Sequence, residues 1–259
     1  MAKDALGKKI DVDAIYILWL RQLKRYFRSK SRIVGALGQP LLFLFALGYG
    51  FGSVFRKAGQ GNYIQFLVPG IIAMTVLFTS IFNGMEIIWD KQFGFLKETL
   101  VAPVSRFNIM LGRTLGGATV AVFQGLIVLL LSFLAGFRAQ SALGLPLAIG
   151  FMFLLSLVFA ALGTAIASVL DDMQGFQLSM SLLVQPLFFL SGALFPLEGL
   201  PKALHYITVM NPLSYGVDAL RGALSGASHF GLGADFLVLA VGAVVFTAIG
   251  GRLFAKIQA

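Results

Sequence analysis

The chain has no cysteine, only two histidines and little charge: 12% of its 259 residues are Asp, Glu, Lys or Arg, where soluble domains carry about 25%. Without cysteine there is no disulfide, no thiolate nucleophile and no Cys-based metal site. His205 and His229 are the only imidazoles, and neither an H-E-x-x-H nor a G-x-S-x-G motif occurs. No catalytic residue and no metal ligand is therefore assigned, and His205 reads as a polar residue of the membrane interface. A phosphate-binding loop is missing as well. The Gly7-Lys8 dipeptide is followed by Lys9 and lacks the upstream glycine of G-x-x-x-x-G-K-[ST]. This chain alone is expected neither to bind nor to hydrolyse ATP. Nor does its start read as a cleaved signal peptide, because no short apolar core with a small-residue cleavage site follows the first basic residues.

What the chain does have is apolar length. It is 58% hydrophobic, with a mean hydropathy of +0.88. Its apolar residues fall into six segments, 33–55, 64–88, 109–137, 145–170, 176–195 and 236–254, each near the ~20 residues that cross a bilayer as a helix. The expected fold is all-α and integral to the membrane, with six transmembrane helices. Fifteen of the 20 Lys and Arg residues lie on one side of that pattern: nine up to Arg32, then Lys91, Lys97, Arg106 and Arg113, then Arg252 and Lys256. Cytoplasmic loops retain positive charge, so both termini are expected in the cytoplasm and the chain in the cytoplasmic (inner) membrane. The net charge of +9 does not suggest nucleic acid. These basic residues flank apolar spans, where they meet lipid headgroups.

Three stretches are not spans. Residues 11–30 read as an interfacial helix, with Val12, Ile15, Tyr16, Trp19, Leu23, Tyr26 and Phe27 at three- and four-residue steps and Arg21, Lys24, Arg25 and Arg28 on the remainder. Residues 197–227 are too apolar for a solvent loop. They are also too often broken for a span, by Pro201, Pro212, Gly216, Gly222 and Gly226. Asn211 suits a cap and Pro212 a first helical turn. Two short re-entrant helices in the outer leaflet are expected there, shielded by protein or a water-filled cavity. Residues 91–103 predict a short cytoplasmic helix that Pro103 ends, with Phe93, Leu96 and Leu100 on one face, and Ser105 caps the next span. Two small-xxx-small pairs, Gly48/Gly52 and Gly112/Gly116, predict close helix contacts.

At this point the chain resembles the ABC-2 type permeases, the membrane subunits of one class of ATP-binding-cassette exporters. The resemblance rests on Gly94, Lys97, Glu98, Ala102, Pro103, Ser105 and Arg106 between spans two and three. It rests also on Asn211, Pro212, Leu213, Ser214 and Tyr215 with Arg221 downstream, and on the run from Tyr63 to Gly70. It covers nearly the whole of residues 1–259 as one transmembrane domain, of the small drug-export or nodulation-factor-export type. It implies that two permease copies pair, and that each docks a cytoplasmic ATPase subunit that binds ATP and Mg. The 91–103 coupling helix would carry motion from that ATPase to the spans. Phe93, Leu96, Lys97, Glu98 and Leu100 would then meet the ATPase. Gly94 would allow close approach, and Arg106 would tie the loop to the interfacial helix or to lipid. The substrate class implied is hydrophobic or amphipathic: a drug, a lipid-linked molecule or a polysaccharide.

Polar residues inside spans are the candidates for the substrate path: Gln39, Asn83, Gln124, Gln177 and Gln185, with Phe188 and Phe189 as a hydrophobic constriction. Each of the polar ones could instead join helices by hydrogen bonds. On the outer side Asp218 and Arg221, three apart on a helix, are placed to pair. Two other classes compete. An ion-coupled secondary transporter acting without an ATPase calls for a titratable residue at the bilayer midplane and often an inverted repeat. An intramembrane enzyme calls for a catalytic pair, which the missing cysteine disfavours.

Overall fold

Apolar residues without strand-like alternation, punctuated by Gly, Pro and capping residues, leave helix as the form that satisfies every backbone N–H and C=O internally. The computed structural model describes residues 10–57, 62–197 and 201–257, and within them finds helices and no strand. In order these are α1 (Val12–Arg28), α2 (Lys30–Gly35), α3 (Gly38–Gly50), α4 (Gly52–Lys57), α5 (Tyr63–Phe82), α6 (Met85–Gln92), α7 (Phe95–Val101), α8 (Arg106–Leu134), α9 (Gly144–Val169), α10 (Met173–Phe189), α11 (Lys202–Met210), α12 (Pro212–Ser225) and α13 (Leu232–Phe254). Residues 198–200, within the expected re-entrant stretch, lie outside the described residues.

Among the described residues, five helical stretches are long and apolar enough to cross a membrane: Lys30–Gly50, Tyr63–Gln92, Arg106–Leu134, Gly144–Val169 and Leu232–Phe254. The expected fifth span, 176–195, is a 17-residue helix, α10, followed by turns. At 1.5 Å per residue it reaches about 25 Å, short of a hydrocarbon core of about 30 Å. Pro186 sits near its end, and the chain turns at Leu190 and Gly192.

The centre of the bundle is α5, α8 and α9, with α13 and α12 packed on them. Leu67, Ile71, Ile72, Val76, Met152, Leu155 and Phe159 are wholly enclosed there. By contrast α3, α10 and α13 leave wide apolar faces uncovered, among them Leu42, Phe45, Leu182, Leu237 and Val244. Lipid or a second chain would cover such faces at no cost.

The N-terminal helix corrects one expectation. Its aromatic side does not simply face lipid but seats on α8. Leu23 and Tyr26 are buried with Val120, Trp19 Nε1 donates to Thr119 Oγ1 at 3.0 Å, and the Tyr26 hydroxyl donates to Gln124 Oε1. Val12, Tyr16, Ile17 and Phe27 remain exposed. The seat depends on Gly112 and Gly116. A Cβ on Gly112 would stand 2.9 Å from Ile15 O, and one on Gly116 would stand 2.7 Å from Gln22 Cβ. This small-residue pair therefore serves contact with α1. Of the other pair, Gly48 packs near Ile64 while Gly52 has open space where a side chain would stand.

Candidate functional site

The basic end of the bundle carries a charge network that ties four helices together. Glu86 and Asp90, one turn apart on α6, are both buried. Arg113 of α8, itself buried, donates from Nη2 to Asp90 Oδ2 in a tight ion pair. From α1, Arg25 approaches Glu86 at 3.5 Å and Asp90 at 3.9 Å, and Arg21 approaches Asp90 at 3.9 Å. From α2, Arg32 donates to Glu86 Oε1 at 2.5 Å and to Asn83 Oδ1 at 3.2 Å. Four guanidinium groups thus converge on two carboxylates. The enclosed Asp90–Arg113 pair dominates. Removing one partner of a buried pair costs about 3–5 kcal/mol, whereas half-exposed pairs such as those of Arg21 and Arg25 contribute about 0–1 kcal/mol. None of these groups stood out in the sequence as a site. Arg113 counts there as loop charge, yet α8 begins at Arg106 and carries it two turns inward.

Next to the network, α6 and α7 form the expected coupling segment as two helices with a break. Gly94 adopts φ +80°, a left-handed conformation that costs an L-residue roughly 1–2 kcal/mol. A Cβ there would meet nothing within 4 Å. Within this chain, glycine is therefore required for its backbone conformation. The expected contact face also divides. Leu96 is buried, 2% exposed, and Leu100 is half-buried against the core, so these two hold α7 to the spans. Phe93, Phe95, Lys97, Glu98 and Val101 face outward. Glu98 makes no ion pair among the described residues.

Two cations secure this segment. Lys91 donates to Ser168 O and Leu170 O, both at 3.0 Å, and to Asp171 at 3.2 Å. It so satisfies carbonyls at the C-terminal end of α9. Arg106 donates to Ala255 O at 2.8 Å and to Ile257 O. It therefore ties the loop to residues 255 and 257, where the interfacial helix or lipid was expected. Pro103 is exposed, and Ser105 Oγ accepts from Asn108 N at 3.2 Å as the cap of α8.

The expected path residues separate into two groups. Asn83 donates to Thr79 O at 2.9 Å and Gly117 O at 3.1 Å. Gln124 is enclosed, accepting from Tyr26 and donating to Ile33 O at 3.2 Å. Phe188 packs near Phe43 and Phe78 in the core, with Phe189 half exposed beside it. Asn83, Gln124 and Phe188 join helices instead of facing open space. Gln39 lines a cavity of about 400 Å³ between α3 and α5, together with Tyr26, Arg32, Met74, Thr75 and Phe78. Gln177 and Gln185 are exposed on α10, where Gln174 and Ser181 share their stripe at three- and four-residue steps. The stripe's period is visible in the sequence once α10 is known to be uncovered on that side.

At the opposite end, α12 is enclosed by α5, α9 and α13, while α11 exposes Tyr206, Ile207 and Met210. Asn211 caps α12 by accepting from Leu213 N at 3.0 Å, Pro212 opens it, and Asn211 Nδ2 reaches Leu187 O at 2.7 Å. The Tyr215 hydroxyl donates to Val209 O at 2.8 Å. Asp218 and Arg221 do not pair. Asp218 accepts from Ser228 Oγ and from the N–H groups of His229 and Phe230, each at 2.8 Å. Arg221 donates to Gly192 O at 3.0 Å and lies 4.0 Å over the Phe66 ring. Each has found its own partners, so the three-residue spacing does not bring them together.

A helical bundle with five span-length apolar helices, one strongly basic end and a pinned surface helix at that end is a polytopic membrane protein of transport type. Residues 13–225 match the ABC-2 type transporter family, and the chain belongs to that family. It is similar to the "Putative transport permease ycf38" of Cyanophora paradoxa, with 27% identity over 95% of this chain and 89% of the relative. "Nodulation protein J" of Rhizobium leguminosarum bv. viciae is 27% identical, over 80% of this chain and 82% of its own. The "Inner membrane transport permease YadH" of Escherichia coli is 27% identical, over 90% and 91%. The protein is accordingly a transport membrane subunit.

Proposed function

We propose that this chain is the permease of an ATP-driven exporter, working as a homodimer whose two copies each engage a separate cytoplasmic ATPase. ATP and Mg would be bound by that ATPase. Six spans, the fifth made by α10 together with the turns that follow it, with α11 and α12 as re-entrant helices of the outer leaflet, and both termini in the cytoplasm of an inner-membrane protein complete the reading. The cargo is a hydrophobic or amphipathic molecule of the drug, lipid-linked or polysaccharide type, taken from the cytoplasm or inner leaflet. Multidrug efflux is one form this activity would take.

The observation that carries the proposal is α7. It sits at the basic end, anchored inward through Leu96 and Leu100, and presents Phe93, Phe95, Glu98 and Val101 outward. Apolar anchors on an exposed helix fit a groove on a partner protein. Motion imposed on α7 would reach α9 through Lys91 and α8 through Asp90 and Arg113. The stripe of Gln174, Gln177, Ser181 and Gln185 on α10 supports pairing or a polar path there, because amides facing hydrocarbon without partners are costly. An ion-coupled mechanism has less support: the buried Asp235 lies in the first turn of α13, not at its middle.

Purification from native membranes with identification of bound proteins tests the reading. A stoichiometric partner with a G-x-x-x-x-G-K-[ST] loop is expected. A chain recovered intact, alone and monomeric would overturn it. Within the complex, Glu98→Arg is expected to leave folding unchanged within about 0.5 kcal/mol while separating ATP hydrolysis from export. Normal export with normal ATPase coupling in that variant would remove Glu98 from the docking surface.

A further inference from the structure

Charge at the basic end does not balance, and a cleft opens where the surplus lies. Four arginines converge on Glu86 and Asp90. On α1, Lys24 and Arg28 add two more cations, and neither has an ion pair among the described residues. The cleft, of about 630 Å³, lies between α1 on one side and Asp90 and Phe95 of α6 and α7 on the other. Ile17, Arg21, Lys24 and Arg28 line it and follow at steps of four, three and four residues, so they share one face of α1. That face is not the one seated on α8, which carries Leu23 and Tyr26.

The level of the cleft follows from the span ends beside it. Arg28 stands two residues before Lys30, where the first span-length stretch begins, and Asp90 two before Gln92, where the second ends. Both walls therefore stand at the membrane surface, where lipid phosphates lie. Asp90 is the one acid of the lining, and Arg113 already neutralises it. Arg21 and Arg25 approach the two carboxylates at 3.5–3.9 Å, beyond ordinary hydrogen-bond length, so their donors remain available. Guanidinium forks take phosphate oxygens in pairs, and a lysine adds a compact charge. Ile17 and Phe95, both more than half exposed, give the cleft an apolar rim. The lining thus offers a cationic floor for a phosphate and a rim suited to the glycerol and upper acyl carbons of a lipid.

We propose that this cleft binds a phosphate-bearing anion, held by Lys24 and Arg28 with Arg21 and Arg25 beside them. The anion is the headgroup of an anionic phospholipid or a soluble phosphate compound. It would offset the surplus positive charge and hold α1 near the break between α6 and α7. The site depends on neither the cargo nor the ATPase.

Native mass spectrometry of the full chain in neutral detergent counts what binds. The chain is titrated separately with short-chain phosphatidylglycerol, short-chain phosphatidylcholine and glycerol phosphate. One phosphatidylglycerol per chain is expected, bound in preference to phosphatidylcholine. Glycerol phosphate binding as tightly as phosphatidylglycerol would instead assign the site to soluble phosphate compounds. Lys24→Gln with Arg28→Gln should weaken the bound anion about 25-fold, at about fivefold for each basic residue, while Lys24→Arg should keep it. Both side chains are exposed, so the double variant should melt like the wild type. If it does not fold, Lys24→Gln against Lys24→Arg decides. Binding of neither anion, or binding unmoved by these substitutions, overturns the site. So does a carbodiimide link, in the assembled complex, between Lys24 and a carboxylate of the ATPase, since a protein acid would then fill the cleft.

Discussion

The two ends of this bundle handle buried carboxylates in opposite ways. At the basic end Glu86 and Asp90 are met by arginines from three other helices. At the opposite end Asp218 is held by backbone N–H groups and a hydroxyl, and Asp235 has no donor at all. Fixed opposite charges make a rigid joint, because breaking one partner strands the other. At Asp218 the donors are neutral groups of the connector before α13, so no second charge is stranded when one of them is lost.

The largest expected effect probes the rigid joint. Arg113→Met strands Asp90 and should destabilise the chain by about 3–5 kcal/mol, read from thermal unfolding in nanodiscs. The double variant Asp90→Leu, Arg113→Met should recover most of that loss, since a well-packed apolar pair avoids the desolvation of both ions. If the single variant melts like the wild type, the pair is not the joint described, and the contrast between the ends fails there.

A smaller effect is expected at the opposite end. Ser228→Ala removes one of the three donors to Asp218 and should cost about 1 kcal/mol. Because the two N–H groups remain, the helix connection should persist. A loss as large as that of Arg113→Met would mean that Asp218 is as rigidly clamped as Asp90, and the ends would not differ in kind.

Much of this was legible beforehand, and the misses share a cause. The class, the apolar segments and the caps at Ser105 and Asn211 follow from local rules: a helix end needs a side-chain acceptor, and a span needs length. Periodicity also marked the apolar side of α1. It could not say what that side touches, because the answer, Gly112 and Gly116, lies about 100 residues away. The pairing of Asp90 with Arg113 is equally non-local, and Arg113 was hidden by its place just beyond a loop. Asp218 and Arg221 mislead for the opposite reason. Their spacing favours pairing in an isolated helix, but a hydroxyl and two backbone N–H groups ten to twelve residues on reach Asp218 first. Leu96 and Leu100 were expected to face an ATPase, and in the structure both face the spans instead. Which body they anchor to depends on the turn at Gly94, and that turn aims them inward.

The smallest expected effect separates the enclosed part of the basic end from its rim. Arg21 approaches Asp90 at 3.9 Å with its side chain 48% exposed. At that distance and exposure, water and salt screen the attraction, and holding the long side chain offsets part of what remains. Arg21→Ala should therefore cost no more than about 1 kcal/mol. That cost should shrink as salt is raised, because a Debye length of about 10 Å at 0.1 M falls to about 3 Å at 1 M. The loss in Arg113→Met should change far less over the same range, since salt does not reach the enclosed pair. Parallel salt series on the two variants check this. Equal salt dependence would mean that Asp90 is open to solvent, and that the network is a surface cluster and not a buried joint between α6 and α8.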